Sequence, residues 1–290
     1  MTPSPSPIPA GDPAANARRR RSTLILTVVA GLTVLVPFLF WKQTWFGEKL
    51  TDERIAEYIA ATDKPRHMQQ ALVQIEERME RGDVSAARWY PLMAALKDSP
   101  VTELRVTLAW VLGSDNRSEL FHETLLELLQ DMDLLVRRNA ALSLVRFGDA
   151  SGREEIVRML ELHSVTAGAA GVIRYRLEAG TSVDVGTLLA RIERSDGTAS
   201  ELRSPAPGKL SSRDVPEGSP VTAGQQVATL APADDHVWEA LRALLLIGRT
   251  EDLPLLESFA ASAGDDYPNM IRDQAVLTAA EIRKRESAPR

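Results

Sequence analysis

Residues 178–192 read EAGTSVDVGTLLARI, and residues 217–230 read EGSPVTAGQQVATL. Both stretches contain the pattern Gly-x-x-Val-x-x-Gly, and the second pattern follows the first by 38 residues. Each copy is preceded by a glycine, Gly171 or Gly208, that opens a β-type stretch. Glycine supplies turn positions with positive φ, while the valine and leucine side chains face a core. The duplication therefore predicts a small all-β module with two similar halves.

The halves are joined by the hairpin Arg194-Ser195-Asp196-Gly197-Thr198, whose Asp-Gly pair predicts a type I′ turn. The module resembles the biotinyl/lipoyl domain, a barrel-sandwich hybrid that also occurs in membrane-fusion adaptors of the bacterial periplasm. In carrier members this hairpin presents a lysine for biotin or lipoate. Here it has none, and the module's only lysine is Lys209. We therefore expect no bound cofactor.

Outside residues 164–232 the apolar residues follow helical spacing. From Gly113 to Gly148 is 35 residues, whereas Gly148 to Gly248 spans 100. The β module is therefore predicted to be inserted between consecutive helical repeats, with its two ends close in space. The predicted helices are 52–61, 66–80, 84–96, 101–112, 117–130, 133–147 and 150–162 before the module, and 235–247, 252–261 and 268–285 after it.

Residues 131–149 read DMDLLVRRNAALSLVRFGD, which resembles the second-helix signature of HEAT repeats, including the phycobilisome-lyase type. Less complete copies begin near Leu104, Val237 and Ile271. The resemblance implies a mainly α protein, with a HEAT-like α-solenoid over 49–163 that continues over 233–286.

The resemblance also implies a structural role for the repeated arginine of this signature. Such an arginine (Arg105, Arg137 or Arg272) is expected to reach a neighbouring acid, Asp131 or Asp133. Both aspartates stand where a helix N-cap is expected, so capping is their predicted role.

Residues 22–41 contain no charge and follow four arginines, Arg18 to Arg21. Twenty uncharged, mostly apolar residues in a helix span about 30 Å of hydrocarbon, so we predict a transmembrane signal anchor over 22–45. A cleaved signal peptide is the rival interpretation, but its apolar part is usually shorter and ends at small residues. The arginines place the tail (1–21), which is rich in proline and serine and predicted to be disordered, in the cytoplasm. The body is then periplasmic, beyond a bacterial-type inner membrane.

Charge and motif content exclude several functions. Segment 1–49 has six basic and two acidic residues, so a chain with net charge −6 leaves about −10 for residues 50–290. An acidic body disfavours nucleic acid as a partner. With no cysteine and no catalytic or phosphate-binding motif, we expect no enzyme activity. His163 and His236 flank the module near Asp234 and Asp235, but such loop histidines are more often exposed than metal-bound, so no metal site is predicted.

These observations predict a membrane-anchored, non-catalytic scaffold or accessory subunit. It would bind a membrane protein complex or another protein through the solenoid and the β module, and the bilayer through residues 22–45. A periplasmic adaptor of a transport assembly is the alternative, although the short hairpin has no room for the coiled coil of efflux adaptors. A lyase-like HEAT protein that handles a bilin would require a cytoplasmic body. The β module can also be a spacer without a partner.

Overall fold

The computed structural model describes residues 49–61, 63–262 and 267–287. The predicted tail (1–21) and transmembrane segment (22–45) lie outside these ranges. Within them, no helix combines the length and the apolar run that crossing a bilayer requires. Within these ranges the chain divides into two units, with the boundary between Ala56 and Glu57. Every element after the first helix belongs to the second unit.

The described residues are mainly helical, with ten α-helices. Short 3-10 turns accompany them at Val84–Trp89, Leu96–Asp98, Leu112–Ser114 and Thr250–Asp252. The helices are α1 (Asp52–Ala60), α2 (Pro65–Glu80), α3 (Tyr90–Ala95), α4 (Thr102–Val111), α5 (Glu119–Leu128), α6 (Leu134–Arg146), α7 (Arg153–Arg158), α8 (Asp234–Ile247), α9 (Leu253–Ala260) and α10 (Asn269–Ser287).

Most helices begin and end within two residues of their predicted bounds, and two differ more. The predicted helix 84–96 is a 3-10 turn up to Trp89, and α-helix begins only at Tyr90. Proline fits the first turn of a helix but not its interior, and Pro91 occupies the first turn of α3. The predicted helix 150–162 shortens to α7, because the chain extends into a strand from His163.

Asp133 caps α6, as predicted. Its carboxylate accepts hydrogen bonds from the main-chain N–H groups of Leu135 at 2.9 Å and Val136 at 3.3 Å. These bonds satisfy donors that the first turn of a helix leaves without a partner.

The prediction that a repeated arginine pairs with the Asp131 carboxylate is confirmed for Arg105 and is wrong for Arg137. Arg137 Nη1 donates to the main-chain oxygens of Asp131 and Met132, and its Nε lies 3.4 Å from Glu155 Oε2. The Asp131 carboxylate is taken by Arg105 of the preceding second helix, with Nε 2.7 Å from Oδ2. Asp131 therefore pairs with an arginine of the preceding repeat, and residue spacing within one repeat does not reveal such a contact.

The helices stack as pairs of a first and a second helix: α5 packs on α6, α7 on α8 and α9 on α10. The second helices also contact one another in the order α2, α4, α6, α8, α10. Buried hydroxyls join this row, since Ser143 Oγ donates to the Ala109 oxygen at 2.7 Å and Thr278 Oγ1 to the Leu241 oxygen at 2.9 Å. These hydrogen bonds fix the register of neighbouring second helices.

Residues 163–232, here called the β region, form two antiparallel sheets of four strands, ordered β1-β8-β6-β3 and β5-β4-β2-β7. Adding four to each strand number of the first sheet, with β1 following β8, gives the strand order of the second sheet. The two halves of the sequence thus occupy equivalent places, with a shared core between the sheets. The strands are β1 (His163–Thr166), β2 (Gly171–Tyr175), β3 (Ser182–Val183), β4 (Leu188–Glu193), β5 (Ala199–Arg203), β6 (Gly208–Arg213), β7 (Pro220–Val221) and β8 (Gln226–Pro232).

Gly171 and Gly208 show the same equivalence in detail. Each pairs with the valine of the other half's Gly-x-x-Val pattern. A Cβ atom on Gly171 would meet the main-chain oxygen of Glu193, and one on Gly208 that of Ala231, closer than real Cβ atoms come. Close strand approach explains why glycine opens both halves.

The hairpin between the halves forms where predicted, but its turn type is different. A type I′ turn needs positive φ at both central residues. Here only Gly197 has positive φ (81°). Asp196 keeps negative φ, and its carboxylate accepts a hydrogen bond from the Thr198 N–H at 2.9 Å. This side-chain bond favours an Asx-type turn that the Asp-Gly pair alone does not distinguish.

The β region lies between α7 and α8, inside a helix pair rather than between consecutive repeats as predicted. The distance from Gly148 to Gly248, which each follow a second helix, shows that one repeat contains extra residues. It does not show which loop of that repeat contains them. A buried core still joins α6 through α10 across the β region. The first and last strands pair with each other, from His163 with Leu230 onward, so the two ends of the β region are neighbours.

Candidate functional site

An open groove, here called the junction groove, lies where the β region meets the helices that follow it. Its larger part encloses about 880 Å³. The lining comes from four separate segments of the chain, around residues 180–184, 207–209, 232–236 and 267–268. Strand β3, the start of α8 and the residues just before α10 thus form its walls.

Two smaller hollows, of about 360 and 420 Å³, extend the groove past Pro232 and Tyr267, which line all three parts. The last hollow is mostly apolar. Its lining includes Leu160, Leu162 and Phe259, and Leu162 is 66% exposed. The Tyr267 ring lies 5.1 Å from that of Phe259. The junction groove therefore has an apolar end.

The opposite end of the junction groove is acidic. Asp184 follows β3, and Asp234 and Asp235 begin α8, whereas the basic side chains in the lining are Lys209 and His236. Acids in the first turn of α8 are also favoured by the helix dipole. That argument does not apply to Asp184, which belongs to a β turn.

A buried charged cluster lies behind this acidic end. Arg138 Nη1 is 3.1 Å from Nδ1 of His236. Because a guanidinium can only donate, His236 Nδ1 must accept, and the neutral ring then carries its proton on Nε2. Arg138 Nε and Glu155 Oε1, which are 4.0 Å apart, have no hydrogen-bond partner in the described part of the chain. Burial lowers the pKa of His236, Asp235 opposes this effect and Arg138 adds to it.

Acidification is therefore expected to destabilise this junction. The pKa of His236 is lower in the folded chain, so the unfolded chain binds the proton more readily, and stability falls as the pH drops below about 6.5. We expect a loss below about 1 kcal/mol, because the side chain is only partly buried. Urea denaturation of the full-length chain between pH 7.5 and 5 measures it.

His236→Asn keeps an acceptor near Nδ1 without a titrating ring, so it should flatten that pH dependence. Gly168→Ala, a variant of the β region that changes no titrating group, is the control and should leave the slope unchanged. Equal slopes for His236→Asn and the unmodified chain would refute the assigned role of His236.

The histidines that the sequence grouped as candidates lie on different elements. His163 lies in β1, and His236 contacts Arg138. No group of three or more potential metal ligands comes together within the described ranges. The hairpin Arg194–Thr198 projects from β4 and β5 without a lysine, and Lys209 lines the junction groove instead.

A second exposed feature lies on the row of second helices. Trp110, near the end of α4, is 38% exposed, and the Arg146 guanidinium of α6 lies 4.5 Å from its ring centroid. Asn116 donates to the main-chain oxygen of Arg146 at 2.7 Å. A cation–π contact at this distance holds both side chains in one arrangement.

The family model of HEAT repeats matches residues 90–171. No curated protein matches the chain. The HEAT-repeat match covers α3 through α7 and ends at the first residue of β2. It includes Trp110 and Arg146, whereas most of the junction groove lies beyond it.

Sequence reasoning found neither the junction groove nor the contact between Arg138 and His236. These two residues are 98 positions apart. The groove draws its lining from four segments, and none of them carries a local pattern. Arg138, the second arginine of the DMDLLVRRN stretch, was the one available sequence signal for the contact with His236. A charged side chain that faces the next helix pair requires a polar partner there.

Proposed function

We propose that this protein is a non-catalytic scaffold that binds protein partners through its helical array. The HEAT-repeat match over residues 90–171 is the observation that carries this proposal. Stacked helix pairs present an extended surface to other proteins, and arrays of this kind are commonly used for binding.

The surface around Trp110 and Arg146 is the one that we assign to the partner. Tryptophan and arginine are over-represented among residues that dominate binding energies at interfaces. The Arg146 guanidinium over the Trp110 ring restricts both side chains before a partner arrives. Less conformational entropy is then lost on binding.

We propose from the sequence that residues 22–45 anchor the chain in an inner membrane, with the tail in the cytoplasm and the body on the extracytoplasmic side. The uncharged stretch 22–41 and the four preceding arginines support this proposal. An anchor would confine the search for a partner to the membrane plane.

We also propose that the β region is a barrel-sandwich hybrid of the biotinyl/lipoyl type without a carrier role. The equivalent places of its two halves in the sheets support the fold. The five-residue hairpin Arg194–Thr198 has no lysine for a cofactor and no coiled coil of the efflux-adaptor kind. Scaffolding is therefore preferred over a transport adaptor.

A photo-crosslinking amino acid at position 116 of the full-length chain, beside Arg146, leaves Trp110 in place and is expected to capture a defined protein partner in intact cells, in the membrane fraction. Once that partner is purified, Trp110→Ala should weaken binding by about thirtyfold, the effect of a residue worth about 2 kcal/mol at an interface. Mass spectrometry identifies the adduct, and titration measures the affinity.

Leu120 provides the matched control, because it is 39% exposed but lies on α5, a first helix. A probe at position 120 should capture nothing specific, and Leu120→Ala should change the affinity less than threefold. Equal capture from both positions would refute the assigned surface, and no adduct at all would refute the scaffold. A transporter or an outer-membrane channel as the partner would favour the adaptor alternative.

A further inference from the structure

We propose that the junction groove is a peptide-docking site for a partner segment that carries basic side chains next to apolar ones. This inference goes beyond the scaffold role, because it concerns a surface that lies mostly outside residues 90–171 and is separate from Trp110. It rests on the two contrasting ends of the groove and on acids that lack basic partners.

The acids at the polar end are available to a ligand. In the described part of the chain, no ion pair joins Asp184 or Asp234 to a basic side chain, whereas most other Asp and Glu side chains of the β region do have such partners. Lys209 lines the same space but pairs with neither acid. Two carboxylates from different elements, β3–β4 and α8, thus face one hollow of about 880 Å³.

The apolar end explains why a simple cation is not the best occupant. Leu162 exposes 66% of its surface there, beside Leu160 and the Phe259–Tyr267 ring pair. Exposed apolar surface next to polar walls is typical of binding grooves. A ligand that fills both ends needs an apolar part as well as a positive charge.

One wall of the acidic end, the two-residue strand β3, favours an extended peptide. Strand β3 is the outer strand of its sheet, paired only with β6, and its residues Ser182 and Val183 line the groove. An outer strand leaves main-chain groups for a further strand, which is a common mode of peptide recognition. The net charge of about −10 over residues 50–290 attracts a basic segment to this surface.

Fluorescence anisotropy with labelled peptides tests the proposal on the full-length chain. The probe peptide RRGLLG is expected to bind, and its affinity should fall as salt is raised. EEGLLG and RRGGGG should each bind at least tenfold more weakly, because one lacks the charge and the other the apolar part. These comparisons use the unmodified protein and do not depend on the folding of a variant.

Protein variants then locate the site. The double variant Asp184→Asn and Asp234→Asn should weaken RRGLLG binding at least tenfold, while Asp273→Asn, which changes another exposed acid on α10, should leave it unchanged. Equal affinity for RRGLLG and EEGLLG would overturn the proposal. So would full displacement of RRGLLG by spermidine together with equal binding of RRGGGG, since that result indicates a site for small polycations only.

Discussion

Replacing Asp252 with alanine is expected to lower the free energy of unfolding by about 3 kcal/mol. Asp252 is 3% exposed and accepts hydrogen bonds from Arg153 Nε at 3.0 Å and from the main-chain N–H of Arg249 at 2.8 Å. Without it, the largely buried Arg153 guanidinium loses its main partner. This ion pair joins the starts of α7 and α9 across the β region, so its loss weakens the helical core there.

The neighbouring acid is a matched control for this prediction. Glu251 also pairs with Arg153, at 2.6 Å, but its side chain is 64% exposed. Exposed ion pairs contribute little, so Glu251→Ala should cost less than about 1 kcal/mol. Urea denaturation followed by circular dichroism compares the two variants of the full-length chain. Similar losses for both would show that burial of Asp252 is not what makes its pair important.

Gly208→Ala and Gly171→Ala are expected to destabilise the β region by similar amounts, each by about 2–3 kcal/mol. The added methyl group would overlap a main-chain oxygen of the neighbouring strand, that of Ala231 or Glu193, and main chain cannot move aside as a flexible side chain can. Hydrogen exchange of peptides from residues 163–232 measures the loss within the β region.

Gly168→Ala is the control, because a Cβ there meets no atom within 4 Å and its φ lies outside the left-handed range. We expect it to be neutral or slightly stabilising, since alanine restricts the unfolded chain. If Gly168→Ala matched the other two variants, or if Gly171→Ala and Gly208→Ala differed strongly, the equivalence of the two halves would be contradicted.

Local pattern predicted most of the secondary structure. The 3.6-residue spacing of apolar side chains located α6 within one residue at each end, and glycine placement located β2 and β6 at their first residues. Both signals arise from neighbours a few positions apart. The predicted type of the turn at Asp196-Gly197 was wrong. The Asp196 carboxylate accepts a hydrogen bond from the Thr198 N–H, and Asp196 has negative φ, which a type I′ turn does not allow.

Features that depend on distant segments were not predictable in the same way. The position of the β region within its repeat was predicted wrongly. An insertion lengthens a repeat by the same number of residues in whichever loop it lies, so repeat length does not identify the loop. The acidic end of the junction groove combines Asp184 with Asp234, which are 50 residues apart. Only the closed fold brings such residues together, and no window of sequence contains both.

The pairing of β1 with β8 has a consequence for the chain entropy of the helical core. A disordered loop of about 70 residues between α7 and α8 would cost roughly 4 kcal/mol to close. The folded β region removes that cost, because its first and last strands are already hydrogen-bonded to each other. The β region thus lowers the entropic cost of pairing α7 with α8, although its buried core shares no residue with the helical core.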